Sequence, residues 1–237
     1  MKDDLHDLDD ALAVHGLVLH GGFAPQAADG VPALPDGAPA AWLCLAGIAG
    51  SSFWTHFERS AERRDGGPDP LDRWSRSIGQ DLAARFGAAA LFPFDGPPYL
   101  PFQRWAQRAE PALRRSPLGL SIHPRYGLWH AFGFALAWPQ RRGASIAGAL
   151  TAASDLCASC SGQPCLHACP VEAFDATGYR IDACIDHLRT PRGHDCRDAG
   201  CMARRACPVA PEFRYAPPHA AFHMAAFFAR HGEPVAR

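Results

Sequence analysis

The stretch Cys157-Ala-Ser-Cys160-Ser-Gly-Gln-Pro-Cys165-Leu-His-Ala-Cys169-Pro170 places four cysteines within fourteen residues and ends in Cys-Pro. A looser second run adds four more and also ends in Cys-Pro: Cys184, Cys196, Cys201 and Cys207, followed by Pro208. Eight of the nine cysteines of this 237-residue chain thus lie between residues 157 and 207. Eight thiolates are the number that hold two [4Fe–4S] clusters, at four ligands each. The cysteines therefore predict a redox protein.

The spacing of the first run is close to that of bacterial two-cluster ferredoxins. Their pattern is Cys-x2-Cys-x2-Cys-x3-Cys-Pro, and its fourth cysteine binds the other cluster. Here an insert around Gly162-Gln163-Pro164 widens the middle gap to four residues, whereas the last gap and the proline are unchanged. By analogy with the crossed pattern, we assign the ligands of cluster one as Cys157, Cys160, Cys165 and Cys207. The ligands of cluster two are then Cys169, Cys184, Cys196 and Cys201, and an uncrossed pairing is the alternative.

Cysteines in such numbers also suit two other kinds of site. Zinc sites use Cys-x2-Cys pairs, and eight thiolates could hold two all-thiolate zinc ions. However, both runs end in Cys-Pro, and the second run lacks a Cys-x2-Cys pair. A disulfide scaffold is a further alternative, typical of secreted proteins. The ninth cysteine, Cys44, lies in the apolar run Trp42-Leu43-Cys44-Leu45 and is expected in the core.

The composition limits the possible partners and compartment. Hydrophobic residues make up 48% of the chain, enough for a core, and the net charge of −1 gives no support for nucleic-acid binding. The acidic start Met1-Lys2-Asp3-Asp4-Leu5 lacks the apolar region of a secretory signal. No stretch reaches 18 uninterrupted apolar residues, so we expect no membrane span. We predict a cytoplasmic protein with reduced thiols and a redox partner protein.

Helices and strands alternate in the predicted first part of the chain. The predicted helices cover residues 5–16, 53–64, 71–86, 102–109 and 217–232. The predicted strands cover residues 16–21, 40–47, 88–93 and 128–138. This alternation predicts an α/β domain over residues 1–150 and an α+β class for the whole chain. Residues 151–215 form the predicted two-cluster domain, and residues 216–237 a C-terminal helix that packs on the first domain.

Two segments resemble the epoxyqueuosine reductase family. Ala183-Cys184-Ile185-Asp186-His187-Leu188-Arg189-Thr190 is similar to the segment that begins the second cluster there, and residues 118–133 are similar to the strand and turn before the cluster domain. That family groups with reductive dehalogenases and cobalamin-processing reductases. The resemblance spans about residues 70–210. It implies a flavin-reductase-like α/β domain, two clusters, and cobalamin or flavin as a further cofactor.

The chain departs from this family in length and in the cysteine gaps. Its first domain is shorter, its first run carries the insert, and the gap between Cys184 and Cys196 is shorter than in the family. Asp95 lies where the resemblance places a catalytic aspartate, although a turn residue before Gly-Pro-Pro is the simpler interpretation. His123 and His130 flank the Tyr126-Gly127 turn, either as cofactor ligands or proton donors or as ordinary strand-end residues.

Histidines and arginines accompany the cysteines of the predicted cluster domain. His167, His187 and His194 could adjust a cluster potential through hydrogen bonds to sulfur. Five arginines crowd the second run: Arg189, Arg192, Arg197, Arg204 and Arg205. They predict a docking patch for an acidic electron donor, compensation of the negative cluster, or a solvated basic face.

Three functions remain open from the sequence. The first is an electron-transfer protein with two [4Fe–4S] clusters. The second is a small cobalamin- or flavin-linked reductase, as the resemblance implies. The third is a structural zinc module that binds a partner. The nucleotide-binding and serine-hydrolase signatures Gly-x-Gly-x-x-Gly, Gly-x4-Gly-Lys-Ser/Thr and Gly-x-Ser-x-Gly are missing from the sequence, so these classes have no support.

Overall fold

A computed structural model describes residues 4–142, 155–175 and 178–232. The helices are α1 (Asp4–Ala13), α2 (Trp54–Glu58), α3 (Ala61–Arg64), α4 (Pro70–Phe86), α5 (Phe102–Ala109), α6 (Pro164–His167), α7 (Ile181–Arg189), α8 (His194–Ala199), α9 (Met202–Arg205) and α10 (Pro217–Gly232). The strands are β1 (Val18–Phe23), β2 (Trp42–Ala49), β3 (Ala89–Leu91), β4 (Arg114–Arg115), β5 (Ser121–Ile122), β6 (His130–Trp138), β7 (Phe174–Asp175) and β8 (Gly178–Tyr179). The α+β class is therefore confirmed.

The described chain divides into two compact units. The first contains residues 4–112 and 130–142, and the second contains Leu113–Trp129 together with residues 155–175 and 178–232. The sequence predicts instead that residues 1–150 form one domain. The segment Leu113–Trp129 leaves that domain because its apolar residues Leu118, Ile122 and Leu128 pack in the core of the cysteine-rich unit.

The first unit is built on a four-stranded sheet with the order β1-β2-β6-β3. Every neighbouring pair in this sheet is antiparallel, with Trp42 opposite Trp138 and Ala49 opposite His130 along the β2–β6 pair. The predicted α/β arrangement of this domain is therefore wrong, although its strands were found. Alternation along the chain suggests parallel crossovers, but β6 enters between β2 and β3 and runs against both.

The core of the first unit follows from apolar patterning. Strand β2 is buried along its whole length, as its uninterrupted apolar run predicts. Helix α4 begins with Pro70 at its first turn and ends before Gly87 in the left-handed conformation. Its buried positions Trp74, Ile78 and Leu82 recur every four residues, so one face packs toward β6 and β3.

The helix predicted over residues 53–64 is divided in two. Ser60 separates α2 from α3, and its hydroxyl accepts a hydrogen bond from the Arg63 amide at 3.2 Å. A serine with extended backbone angles satisfies an amide at the start of a helix but interrupts the one before it. The predicted helices over 102–109 and 217–232 agree with α5 and α10 at both ends.

Helix α10 packs within the second unit. Its residues Met224, Phe227 and Phe228 lie against Ile185 and Leu188 of α7, in a cluster that also contains Cys196. The prediction that this helix packs on the first domain stays a prediction. Its apolar face indicates burial, but helical spacing cannot specify which apolar surface covers it. Across the described residues, no helix has both the length and the hydropathy to cross a bilayer.

Candidate metal centres

The insert in the first cysteine run forms a turn that positions Cys165. The carboxylate of Asp155 accepts hydrogen bonds from the amides of Cys157 and Ala158, both at 3.0 Å, and so opens the loop. The Gln163 side chain donates to the Cys157 carbonyl at 3.1 Å, while its own backbone is left-handed. Helix α6 then begins at Pro164. The insert therefore places Cys165 on a helix and its predecessors on a closed loop.

Each cysteine of the second run has a different structural setting. Cys184 lies in α7, Cys196 is buried in α8, and Cys201 caps the start of α9. Cys207 follows α9, and its amide donates to the Arg204 carbonyl at 3.2 Å. These cysteines are therefore positioned by separate short helices rather than by one loop. This explains why the second run has no Cys-x2-Cys pair.

Four thiols form a first group. Burial raises the pKa of the Cys157 thiol, and the charges of Asp155, Cys207, Cys165 and Cys160 raise it further. Burial likewise raises the pKa of Cys165, together with the charges of Cys207 and Cys160. These four thiols are therefore close enough to repel one another when ionised. A bound cation would relieve that repulsion.

An apolar wall borders three thiols of the first group, and Cys169 and Cys201 pack against it as well. Cys157, Cys165 and Cys207 pack with aliphatic residues from the segment that sequence reasoning placed in the other domain: Leu118, Ile122 and Leu128. Cys207 is only 6% exposed. The sequence offered one signal for this contact, namely the resemblance of residues 118–133 to the segment before a cluster domain.

The remaining four thiols form a second group. Burial raises the pKa of the Cys184 thiol, a hydrogen bond from Tyr179 opposes that rise, and the charges of Cys169 and Cys196 add to it. Burial also raises the pKa of Cys201, with contributions from Cys196 and Cys184. Tyr179 is a neighbour that sequence reasoning missed, because it lies on a two-residue strand outside any cysteine motif.

Backbone amides face the sulfurs of the second group. Those of Arg204 and Ala203 lower the pKa of Cys201, and that of Met202 lowers the pKa of Cys196, although burial raises both values overall. The amides at the start of a helix lack intrahelical partners, so the first turn of α9 is free to face negative sulfur. These amides therefore stabilise the thiolate forms of Cys196 and Cys201, although both residues are largely shielded from solvent.

The two groups have the membership of the crossed assignment. Cys169 belongs to the first sequence run but lies in the second group, and its sulfur accepts a hydrogen bond from the Ala173 amide at 3.3 Å. Cys207 belongs to the second run but lies in the first group. All nine cysteines are free thiols, so none is used in a disulfide.

Neither group is arranged around a single ion. Within the described ranges, no three His, Cys, Asp or Glu side chains converge as one metal ion requires. A cubane cluster makes a different demand, because each of its four irons takes one thiolate. Cysteine thiolates in sets of four are the ligand chemistry of such clusters.

Three of the five arginines near the second run have partners within this unit. Arg189 pairs with Asp186 at 2.9 Å, and Arg205 pairs with Asp195. The Arg204 guanidinium lies over the rings of Trp129 and Tyr215, at 5.0 and 4.4 Å from their centres, and donates to the Leu128 carbonyl. Only Arg192 and Arg197 of the predicted docking patch then remain without such a described contact.

The other candidate residues have ordinary structural contacts. Asp95 pairs with Arg76 on the first unit. The His123 ring accepts hydrogen bonds from the Arg125 and Tyr126 amides at 2.9 and 3.1 Å, so it stabilises its own turn. His130 lies at the start of β6, in the first unit. These contacts favour a turn residue at position 95 and ordinary strand-end residues at positions 123 and 130.

The remaining sequence candidates lie as follows. Burial raises the pKa of Cys44 to about 12, and Trp42 donates to its sulfur at 3.1 Å, so this thiol is an inert part of the core. Of the three histidines in the cluster unit, His167 ends α6, His187 lies in α7 and His194 begins α8.

Comparison with known proteins adds no relative: no protein-family model and no curated protein sequence matches this chain. The resemblance to epoxyqueuosine reductases, and with it the likeness of the first unit to flavin reductases, stays a prediction.

Proposed function

We propose that this chain is an iron–sulfur electron-transfer protein with two [4Fe–4S] clusters. Cys157, Cys160, Cys165 and Cys207 would hold the first cluster, and Cys169, Cys184, Cys196 and Cys201 the second. The observation that carries the proposal is the division of eight free thiols into two groups of four. Each group takes three cysteines from one run and one from the other, as crossed ligation requires.

Bound clusters would supply one-electron transfer at potentials set by their surroundings. The residues of the chain provide those surroundings. Leu118, Ile122 and Leu128 provide an apolar surface against Cys157, Cys165 and Cys207, and also against Cys169 and Cys201. The amides of α9 favour negative charge at the second group.

The crossed arrangement also keeps the two groups close. Cys165 of the first group and Cys169 of the second are joined by the end of α6. Four residues of helix rise on the order of 6 Å, so the two attachment points are near neighbours. A short separation of this kind supports electron exchange between two clusters.

A cavity beside Cys169 gives a partner a route toward the second group. A cavity of about 720 Å³ lies beside Cys169 and is lined in part by His167, Glu172, Phe174 and Arg180. A redox partner protein that enters this cavity would come close to Cys169, a proposed ligand of the second cluster. We therefore propose the second group as the place of exchange.

Anaerobic purification with iron and sulfide analysis tests the proposal. We expect about eight iron and eight sulfide per chain, a brown colour, and the signal of reduced [4Fe–4S] clusters in electron paramagnetic resonance (EPR) spectra. A colourless protein with zinc as its only metal, after anaerobic reconstitution with iron and sulfide, would contradict it. Titration of the same preparation with cobalamin and with flavin tests the reductase alternative, which predicts that one of them binds and changes its absorption spectrum.

A further inference from the structure

One peptide group beside the second group of thiols is held from both sides. It is the peptide that joins Glu172 to Ala173. Its N–H, on Ala173, donates a hydrogen bond to the Cys169 sulfur at 3.3 Å. Its carbonyl, on Glu172, accepts one from the Arg180 guanidinium at 2.5 Å. Because the N–H and C=O of a trans peptide point in opposite directions, Arg180 and Cys169 contact opposite edges of one rigid plane.

Arg180 makes further contacts with the same turn. Its guanidinium also donates to the Val171 carbonyl at 3.3 Å, and its Nε lies 3.5 Å from a carboxylate oxygen of Asp175. Its backbone amide donates to the Ala173 carbonyl at 2.8 Å. An exposed ion pair contributes little, whereas hydrogen bonds from a charged donor are stronger than neutral ones. The bonds to the two carbonyls are therefore the contacts by which the side chain holds the turn.

Glu172 has a backbone conformation that its residue type disfavours. Its φ is +48°, in the left-handed region, where a Cβ atom is crowded. Its amide donates to the Cys169 carbonyl at 3.1 Å. The backbone angles of Glu172 set the direction of the peptide that follows it. The left-handed conformation therefore turns the Ala173 N–H toward the sulfur, and the contacts of Arg180 and Cys169 stabilise it.

We propose that Arg180 is a positioning residue of the second cluster, which holds this peptide so that its amide donates to the Cys169 sulfur and raises the reduction potential of that cluster. The inference rests on the proposed function and deepens it. An amide donor at a ligand sulfur stabilises the reduced cluster, which carries one more negative charge. A cation at the carbonyl also polarises the peptide, which makes its N–H a stronger donor.

The first test observes the second cluster alone, which the Cys160→Ser background allows. There we expect Arg180→Met, which keeps the apolar stem but no donor, to lower the equilibrium constant for cluster reduction about tenfold. This is about 59 mV for a one-electron couple. EPR-monitored redox titration measures the shift. Arg192→Met, at an exposed arginine of the same unit, is the control and should leave the constant unchanged.

A double variant separates the charge of Arg180 from its hydrogen bonds. Arg180→Met combined with Asp175→Asn has the net charge of the parent, because it removes one positive and one negative group that pair in the protein. The hydrogen bonds to the two carbonyls are still lost. We therefore expect the double variant to keep the lower equilibrium constant.

Two substitutions of Glu172 test the peptide while Arg180 stays in place. Glu172→Gly and Glu172→Val remove the same carboxylate, but glycine adopts the left-handed conformation readily and β-branched valine does not. We expect the equilibrium constant for cluster reduction to be several-fold lower in Glu172→Val than in Glu172→Gly. The glycine variant should retain the parent potential or exceed it, since it also loses a negative charge near the cluster.

Four outcomes would overturn this role of Arg180. One is an unchanged second potential in Arg180→Met. Another is the parent potential in the charge-balanced double variant, which would assign the shift to charge alone. Equal potentials in the two Glu172 variants would show that the direction of the peptide has no effect, and loss of second-cluster iron in Arg180→Met would make the residue one of assembly. A parent protein that holds no iron–sulfur cluster fails at an earlier step, and it would reject the proposed function as well.

Discussion

Gly127 lies directly against the backbone of Val209. A Cβ atom at residue 127 would be only 2.4 Å from the Val209 carbonyl oxygen. Gly127 also has a φ of +58°, in the left-handed region that favours glycine. Its turn is closed by two backbone hydrogen bonds with His123, at 2.8 and 2.9 Å. This contact fixes the segment Leu113–Trp129 to the stretch that follows Cys207.

Gly127→Ala should therefore destabilise the second unit. The left-handed conformation and the displaced backbone together should cost about 3 kcal/mol. Urea unfolding followed by circular dichroism measures this loss. Because the segment Leu113–Trp129 packs against thiols of the first group, we also expect a lower iron content after reconstitution.

Gly119→Ala is the matched control for this substitution. Gly119 has a φ of +76°, but the nearest atom to its Cβ position is an Arg115 side-chain nitrogen at 3.8 Å. Gly119→Ala should therefore lower the free energy of unfolding by only about 1 kcal/mol, the cost of the left-handed conformation for alanine. Equal losses for the two variants would mean that the Val209 contact contributes nothing.

Cys160→Ser and Cys196→Ser should each remove one cluster. We expect the iron content to fall by about half in either variant, since each substitution removes a ligand from one group only. Iron analysis after anaerobic reconstitution measures this, and Cys44→Ala should retain the full content because Cys44 lies in the core of the first unit. Full iron in both serine variants would contradict the ligand assignment.

Arg204→Met should reduce the stability of the second unit. Methionine retains the length of the stem but loses the charge over Trp129 and Tyr215 and the hydrogen bond to Leu128. A desolvated cation over aromatic rings contributes about 2 kcal/mol, so we expect a loss of that order in urea unfolding. Arg192→Met, at an exposed position, should leave stability unchanged. A similar loss in both variants would argue against the ring contacts as its cause.

Acid should weaken the second unit through a histidine pair. His219 and His223 lie with their Nε2 atoms 2.9 Å apart. Burial, His223 and Arg204 lower the pKa of His219 to about 3, and burial and Arg204 lower that of His223 to about 4, from an ordinary 6.5. Below pH 6.5 the unfolded chain binds protons at these two histidines, whereas the folded chain leaves both neutral until the pH is much lower. The free energy of unfolding should therefore fall as the pH falls from 6.5 toward 3.

Urea unfolding at several pH values from about 6.5 to about 5 measures this slope. Replacement of both histidines by glutamine should flatten it, since neither position then takes up a proton. His6→Gln, at an exposed site of α1 in the first unit, should leave it unchanged. An unaltered slope in the double variant would show that other groups cause the acid sensitivity.

Local patterns predicted the elements better than their arrangement. Helices α5 and α10 and the apolar strand β2 were evident because spacing and capping act within one segment. The antiparallel position of β6 was not evident, since strand pairing joins residues as distant as Trp42 and Trp138. Likewise, apolar spacing did not assign Leu118, Ile122 and Leu128 to the cysteine-rich unit, and the resemblance of residues 118–133 was the one signal for it.

The sequence alone determined the number, spacing and Cys-Pro endings of the cysteines, and the proposed ligand chemistry and crossed pairing follow from these properties of the chain. Only the tertiary structure decided what surrounds each group. The aliphatic wall of Leu118 and Leu128 and the position of Tyr179 beside Cys184 depend on contacts between segments that are separate in the chain. Such contacts arise from packing of whole elements, which no short pattern encodes.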